Sequence, residues 1–234
     1  MSNVDFFEFE DKNIDFPYYN EKNAYGKNSL IIILSSLFLF VFLILGPIKF
    51  FEGQEQIILF LITIIPLLLL TKCNLGLFFR KISLNDIRLI IVSYIGYKIY
   101  YLIVYELFQV TNYVTTSAES QFLNMNLLTL IINTLQIFSE EIFRIFLFLI
   151  LMYFLYKYTN NRKKSIIIST VLVLIVFGLM HVNTYGYNII QILLLQGFGS
   201  IFEFLGYLKT KNLAIPIIIH LLINISSWIP YLMI

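Results

Sequence analysis

Cysteine occurs once, at Cys73, so the chain can close no internal disulfide and offers no cysteine cluster to a metal. The expected role of Cys73 is that of an inert residue beside a membrane span. Charge is scarce: Asp, Glu, Lys and Arg make up 13% of the 234 residues, against about 25% in an ordinary soluble domain. A net charge of +2 leaves no basic footprint for nucleic acid, and no such partner is expected. The first 28 residues lack the basic start and early apolar core of a secretory signal. They carry Asp5, Glu8, Glu10, Asp11, Asp15 and Glu21, with Phe6, Phe7, Phe9 and Phe16 among the acids. We read residues 1–28 as a retained polar cytoplasmic tail; contact with the membrane interface is one alternative, a solvated segment without function the plainer one. No internal repeat or low-complexity linker divides the rest, which reads as a single integral membrane domain over 29–234.

What the sequence does contain is apolar surface. Hydrophobic residues reach 59% and the mean hydropathy is +0.83. That surplus cannot be hidden in one water-soluble core, so lipid must solvate much of the surface. Crossing a hydrocarbon core of ~30 Å takes about 20 apolar residues as a helix. Candidate spans fall near 29–46, 57–71, 88–109, 127–157, 165–182, 189–208 and 213–232. The expected fold class is therefore all-α, a polytopic transmembrane helix bundle of about seven spans. The fourth candidate is too long for a simple crossing and is expected to tilt, to break, or to begin on the membrane surface.

Thirteen of the sixteen basic residues precede span one or lie between spans two and three, four and five, or six and seven. By the positive-inside rule those loops face the cytoplasm, which puts the amino terminus inside and the carboxy terminus outside. The segment from Arg80 to Arg88 reads either as an amphipathic surface connector or as a plain basic loop. Trp228 and Tyr231 read as interface anchors.

Ionisable groups within a bilayer cost at least ~2.5–3.5 kcal/mol each, so their positions carry information. Glu140, Glu141 and Arg144 lie in the middle of span four. Both histidines of the chain lie in later spans, His181 in span five and His220 in span seven, with Asn224 one turn beyond His220. Pairing Glu140 with Arg144 at i,i+4 would relieve part of the charge penalty, and the same spacing puts His220 and Asn224 on one helix face. A buried carboxylate can act as a general base towards water, neutral His can orient water or move a proton, and Asn can hold a developing oxyanion. Glu, two His and Asn on three helices therefore suffice for peptide-bond hydrolysis. Glu140, His181 and His220 are also candidate metal ligands. They could bind a divalent ion such as zinc with an open position, although no HExxH motif is present and the sequence leaves the metal undecided.

Three short motifs then stand in order on successive apolar helices: Glu140-Glu141-Ile-Phe-Arg144, Phe177-Gly-Leu-Met-His181 and His220-Leu-Leu-Ile-Asn224. The last is preceded by Gly206-Tyr-Leu-Lys-Thr-Lys-Asn-Leu-Ala-Ile-Pro216. This stretch resembles the CAAX-protease and bacteriocin-processing family of intramembrane proteases, whose motifs are EExxxR, FxxxH and HxxxN. The resemblance covers a protease-like core at about 127–226.

The first motif is one residue short of the family's. Aligned on Phe143 and Arg144, Glu140 takes the place of the second family Glu; aligned on the Glu pair, Arg144 moves by about 100° around the helix. A local helix irregularity such as a π-bulge would absorb the difference. The resemblance implies that a Glu and His181 activate water, that His220 and Asn224 support the oxyanion, and that Arg144 fixes a Glu. It implies a membrane-associated peptide or protein as substrate. The Ile/Asn/Lys-rich composition points to a bacterial plasma membrane, where a leader peptide, bacteriocin or signalling peptide fits better than a prenylated protein. The alternative is a catalytically silent member acting as a bacteriocin-immunity or scaffold protein. Paired broken helices of the kind transporters use are not found.

Two further polar groups sit in spans. Lys98 and Glu106 are two turns apart and are expected to snorkel towards opposite interfaces. Glu203 is expected to be structural or interfacial, with a place in the cavity wall as the lesser alternative.

Overall fold

The computed structural model describes residues 6–20, 25–48, 51, 53–116 and 126–232. Among these residues the chain is helical without strands: α1 Lys27–Leu45, α2 Gln54–Thr71, α3 Leu84–Val110, α4 Leu127–Thr159, α5 Arg162–Leu179, α6 Val182–Tyr185, α7 Ile189–Gln191, α8 Ile201–Thr210 and α9 Ala214–Leu232. A π-helical stretch, Ile192–Gly197, and a 3-10 turn, Phe198–Ser200, join α7 to α8 into one rod. Four helical segments are long and apolar enough to cross a membrane: α1, α2, α3 and the rod Ile189–Thr210. The protein is thus a helical membrane protein.

Local chemistry sets the ends of these helices. Ser83 and Asp86 cap α3 reciprocally, as Asn126 and Thr129 cap α4, so orphan amides at both starts are bonded. Asn160 takes up the left-handed conformation and Asn161 then caps α5, which reverses the chain in two residues. The stretch from Arg80 forms neither a surface helix nor a free loop. It runs without regular structure to Ser83, and Asn212 bonds both the N–H and the carbonyl of Arg80.

α4 is the centre of the bundle. It packs on α1, α2, α5 and α9, and every side chain from Ser139 to Phe146 is buried. It neither breaks nor bends around a π-bulge; it is one helix of 33 residues whose first turns are exposed and whose burial begins at Ile137. The irregular helix is instead at Ile192–Gly197. There α5 comes close because both partners are glycine: a Cβ on Gly178 would sit 2.9 Å from Gly197 Cα, and one on Gly197 would sit 2.9 Å from the Leu174 carbonyl oxygen.

Pro66 inside α2 lacks the N–H that would bond the Ile62 carbonyl. Ser36 on α1 supplies the missing donor, at 2.8 Å. Trp228 is buried rather than displayed at an interface, and the side chain of Tyr231 lies outside the described residues.

The tail is docked. Phe16 is fully buried against Phe148 and Tyr207, and Glu10 is buried beside Arg162 at the start of α5 and Lys211 in the α8–α9 turn. Arg162 also reaches Asp15 at 3.1 Å, and Tyr18 donates to the Leu70 carbonyl at the end of α2. The tail therefore joins the loop ends that carry most of the basic residues.

Candidate active site

The site assembles from four elements. α4 brings Glu140, Glu141 and Arg144; the end of α5 brings His181; α8 brings Glu203; and α9 brings His220 and Asn224. His181, Glu203, His220 and Asn224 line one cavity of about 30 Å³, room for one water by volume. Tyr97, Phe177, Gln196 and Ser200 complete its polar and aromatic wall.

Arg144 is fully buried and takes two carboxylates. Its Nη2 pairs with Glu141 one turn back and lies 2.5 Å from Glu203 Oε2. The i,i+4 pairing with Glu140 expected from spacing gives way to this i,i+3 pair and to a partner 59 positions away, since both spacings share a helix face. The guanidinium carbon also lies 4.3 Å from the centre of the Phe177 ring, a cation–π contact in a desolvated place.

The two carboxylates of the pair are therefore unequal. Glu141 is held by Arg144 and by His220 Nδ1, at 2.6 Å. Glu140 accepts from Gln136 at 2.7 Å through one oxygen, and its other oxygen stands 3.8 Å from His220 Nε2. A carboxylate so close can accept from Nδ1, so Nδ1 carries the hydrogen and Nε2 is the atom left to face Glu140 and the cavity.

His181 sits just past the end of α5, outside the regular helix. Its Nδ1 lies 2.9 Å from the Phe177 carbonyl oxygen, which can only accept. Nδ1–H is thereby committed, and Nε2 keeps a lone pair. Phe177 thus has two jobs: its ring packs on Arg144 and its carbonyl sets the His181 tautomer.

His181 and His220, from different helices, line the same cavity. Asn224 is half-buried on the His220 face. Glu203 joins the centre rather than an interface. The signal for it was the one charged residue of its span, a carboxylate that costs too much to be left unpaired.

A different trio, Glu141, Glu203 and His220, has ligand atoms within 4.8 Å of one another, the only such group of three or more among the described residues. Arg144 Nη2 stands among those same atoms, 3.3 Å from His220 Nδ1. The cluster already holds a cation, in guanidinium form.

No curated protein and no solved structure matches the chain significantly. The helices of the site do match a family model, the type II CAAX prenyl endopeptidase Rce1-like family, over residues 122–226. Residues 122–226, which hold the three motifs in order, are thus similar to an Rce1-like domain and consistent with the CAAX-protease and bacteriocin-processing family.

Proposed function

We propose that the protein is an intramembrane endopeptidase in which Glu140 and His181 activate water, and His220 and Asn224 hold the oxyanion. One observation carries this reading. A water-sized cavity is lined by His181, His220 and Asn224, and Glu140, which is not among the carboxylates paired by Arg144, has an oxygen 3.8 Å from His220 Nε2. Glu140 is the better base because Glu141 is engaged by Arg144 and His220. The lone pair on His181 Nε2 takes or relays the proton. The oxyanion meets the Asn224 side-chain amide and, once it has taken up a proton, His220 Nε2. Glu141, Arg144 and Glu203 position His220.

The place of Arg144 favours hydrolysis without a metal, since the atoms of the trio that would ligate one already contact a guanidinium. The candidate zinc set of Glu140, His181 and His220 gains no support from distances among all three. The substrate class is a membrane-associated peptide or protein, with a leader, bacteriocin or signalling peptide as the favoured member. We place the chain in a bacterial plasma membrane with about seven spans and a cytoplasmic amino terminus. The docking of residues 6–20 against the basic loop ends supports that orientation.

Comparing secreted and membrane peptides from cells carrying the wild type and Glu140→Gln tests the reading: a peptide processed only by the wild type supports it. A second reading, a silent scaffold or immunity protein, is favoured by the shortened first motif. It requires that His181→Ala and His220→Ala leave the cellular role intact, whereas a protease loses it.

A further inference from the structure

Each turnover of a hydrolase consumes a water, and the cavity beside the histidines has room for one by volume. The next water has to reach it, and the length of α4 indicates from which end. Its 33 residues make a helix of ~50 Å, about 20 Å longer than a hydrocarbon core is thick. With that excess shared between the two ends, Glu140 lies ~10 Å inside the hydrocarbon from the Leu127 end and ~20 Å from the other. The short way in is therefore at the Leu127 end. The docked tail sits at the opposite end, on Arg162 just beyond the last turn of α4.

The sequence marks that end with a polar face. Thr129, Asn133, Gln136 and Glu140 follow one another at helical spacing, which at 100° per residue puts all four within an arc of about 60°. Two other polar side chains of this stretch, Thr134 and Ser139, lie off the arc and donate to carbonyls of their own helix, Leu130 at 2.8 Å and Gln136 at 2.6 Å. Their hydroxyls need nothing from outside it. The carboxamide of Gln136 instead runs along the arc and donates to Glu140 Oε1 at 2.7 Å. Burial follows the same line: Thr129, Asn133 and Gln136 are partly exposed on the face that carries the base, and Glu140 is buried. Carboxamides turned to hydrocarbon would lose hydrogen bonds that water supplies.

We infer that this face of α4 is the wall of a water path that opens at the Leu127 end, away from the docked tail, and ends at Glu140. With the amino terminus inside, that end is extracytoplasmic. The inference rests on the protease reading and deepens it: the site draws its water from outside the cell, which narrows the substrate class to peptides exposed on that side. Gln136 is the positioning residue at the inner end of the path. Its amide holds one oxygen of Glu140 and leaves the other, 3.8 Å from His220 Nε2, for the arriving water.

The test is which positions of α4 meet water, and from which side. Full-length protein with Cys73→Ser, which removes the one native thiol, carries a single cysteine at Thr129, Asn133, Gln136 or Leu135. Leu135 is the control: it is partly exposed like the arc and matches Asn133 and Gln136 in depth, but lies about 130° around the helix. Right-side-out and inside-out membrane vesicles are treated with a membrane-impermeant cationic methanethiosulfonate, which needs the hydrated thiolate. Total thiol after denaturation in SDS sets the scale. In right-side-out vesicles Thr129→Cys, Asn133→Cys and Gln136→Cys are expected to label, and Leu135→Cys is expected not to. Loss of labelling at Asn133→Cys and Gln136→Cys, equal labelling at Leu135→Cys, or labelling of the arc in inside-out vesicles alone overturns the path. Should Gln136→Cys fail to insert, the comparison of Asn133→Cys with Leu135→Cys decides. Failure of the protease reading shows separately: the labelling pattern would hold while wild-type and Glu140→Gln cells yield the same peptides.

Discussion

His220 Nδ1 lies 2.6 Å from Glu141 Oε1, a bond that ties the last helix of the bundle to its central one across 79 positions. It orients the imidazole so that only Nε2 faces the cavity, and it divides the two adjacent glutamates into one that holds and one that is free to react.

Glu140→Gln should abolish peptide cleavage while the protein still folds and inserts. Loss of a general base lowers rates by about 10²–10⁴-fold. Glu141→Gln should also impair cleavage, but with a fall in thermal stability that Glu140→Gln does not show. Parallel cleavage assays and thermal unfolding in nanodiscs check both; normal cleavage by Glu140→Gln would remove it from the role of base.

Arg144→Gln leaves Glu141 and Glu203 buried against each other with no cation between them. Breaking a buried ion pair in this way costs about 3–5 kcal/mol. A large drop in unfolding temperature is expected, partly restored by the additional change Glu203→Gln. No restoration would mean that the two residues are not coupled.

At Gly178 the limit is steric. A methyl group there meets the Gly197 backbone, which cannot rotate away as a side chain would. Overpacking of this kind costs about 1–3 kcal/mol. Gly178→Ala should push α5 from the π-helical stretch, displace His181, and reduce cleavage more than it reduces expression. Hydrogen exchange across 174–197 would report the separation.

The tail gives a pH signature. Burial alone pushes the Glu10 carboxyl up, but hydrogen bonds from Arg162, Lys211 and the Phe7 N–H, with the Arg162 charge, outweigh it and hold the group below its ordinary value. A depressed carboxylate contributes stability above its unfolded pKa and loses it as pH falls through the folded one. Unfolding temperature should therefore fall on acidification below about pH 4, the unfolded range of Glu. Glu10→Gln should lower it at neutral pH and flatten that part of the profile. An unchanged profile would show that the tail contributes no stability.

Much of the architecture was legible because apolar runs alternate with basic loops. The seven expected segments recur as helices whose ends shift by only a few residues, and the His220–Asn224 spacing placed both on one face of α9. What spacing left open was partner choice. Arg144 could reach Glu140 or Glu141 along its own helix, and Glu203, on α8, decided between them by lying on the Glu141 side. The π-helical stretch left no mark in composition, since Ile-Leu-Leu-Leu suits any helix. The docked tail was hidden for another reason: Glu10 looks solvated until the chain brings Arg162 and Lys211 to it from far along the sequence.

That docking has a consequence for biogenesis. The tail leaves the ribosome before the helices it docks against, and its two main cationic partners are made 152 and 201 residues after Glu10. Contacts between such distant positions form late, after most of the chain has been synthesised. Lys211 lies just ahead of α9, so the clamp closes only when the helix carrying His220 and Asn224 is being delivered to the bundle. A truncated translation product would keep its glutamates in the membrane but have neither the lock nor the second histidine, which separates insertion of this protein from its completion.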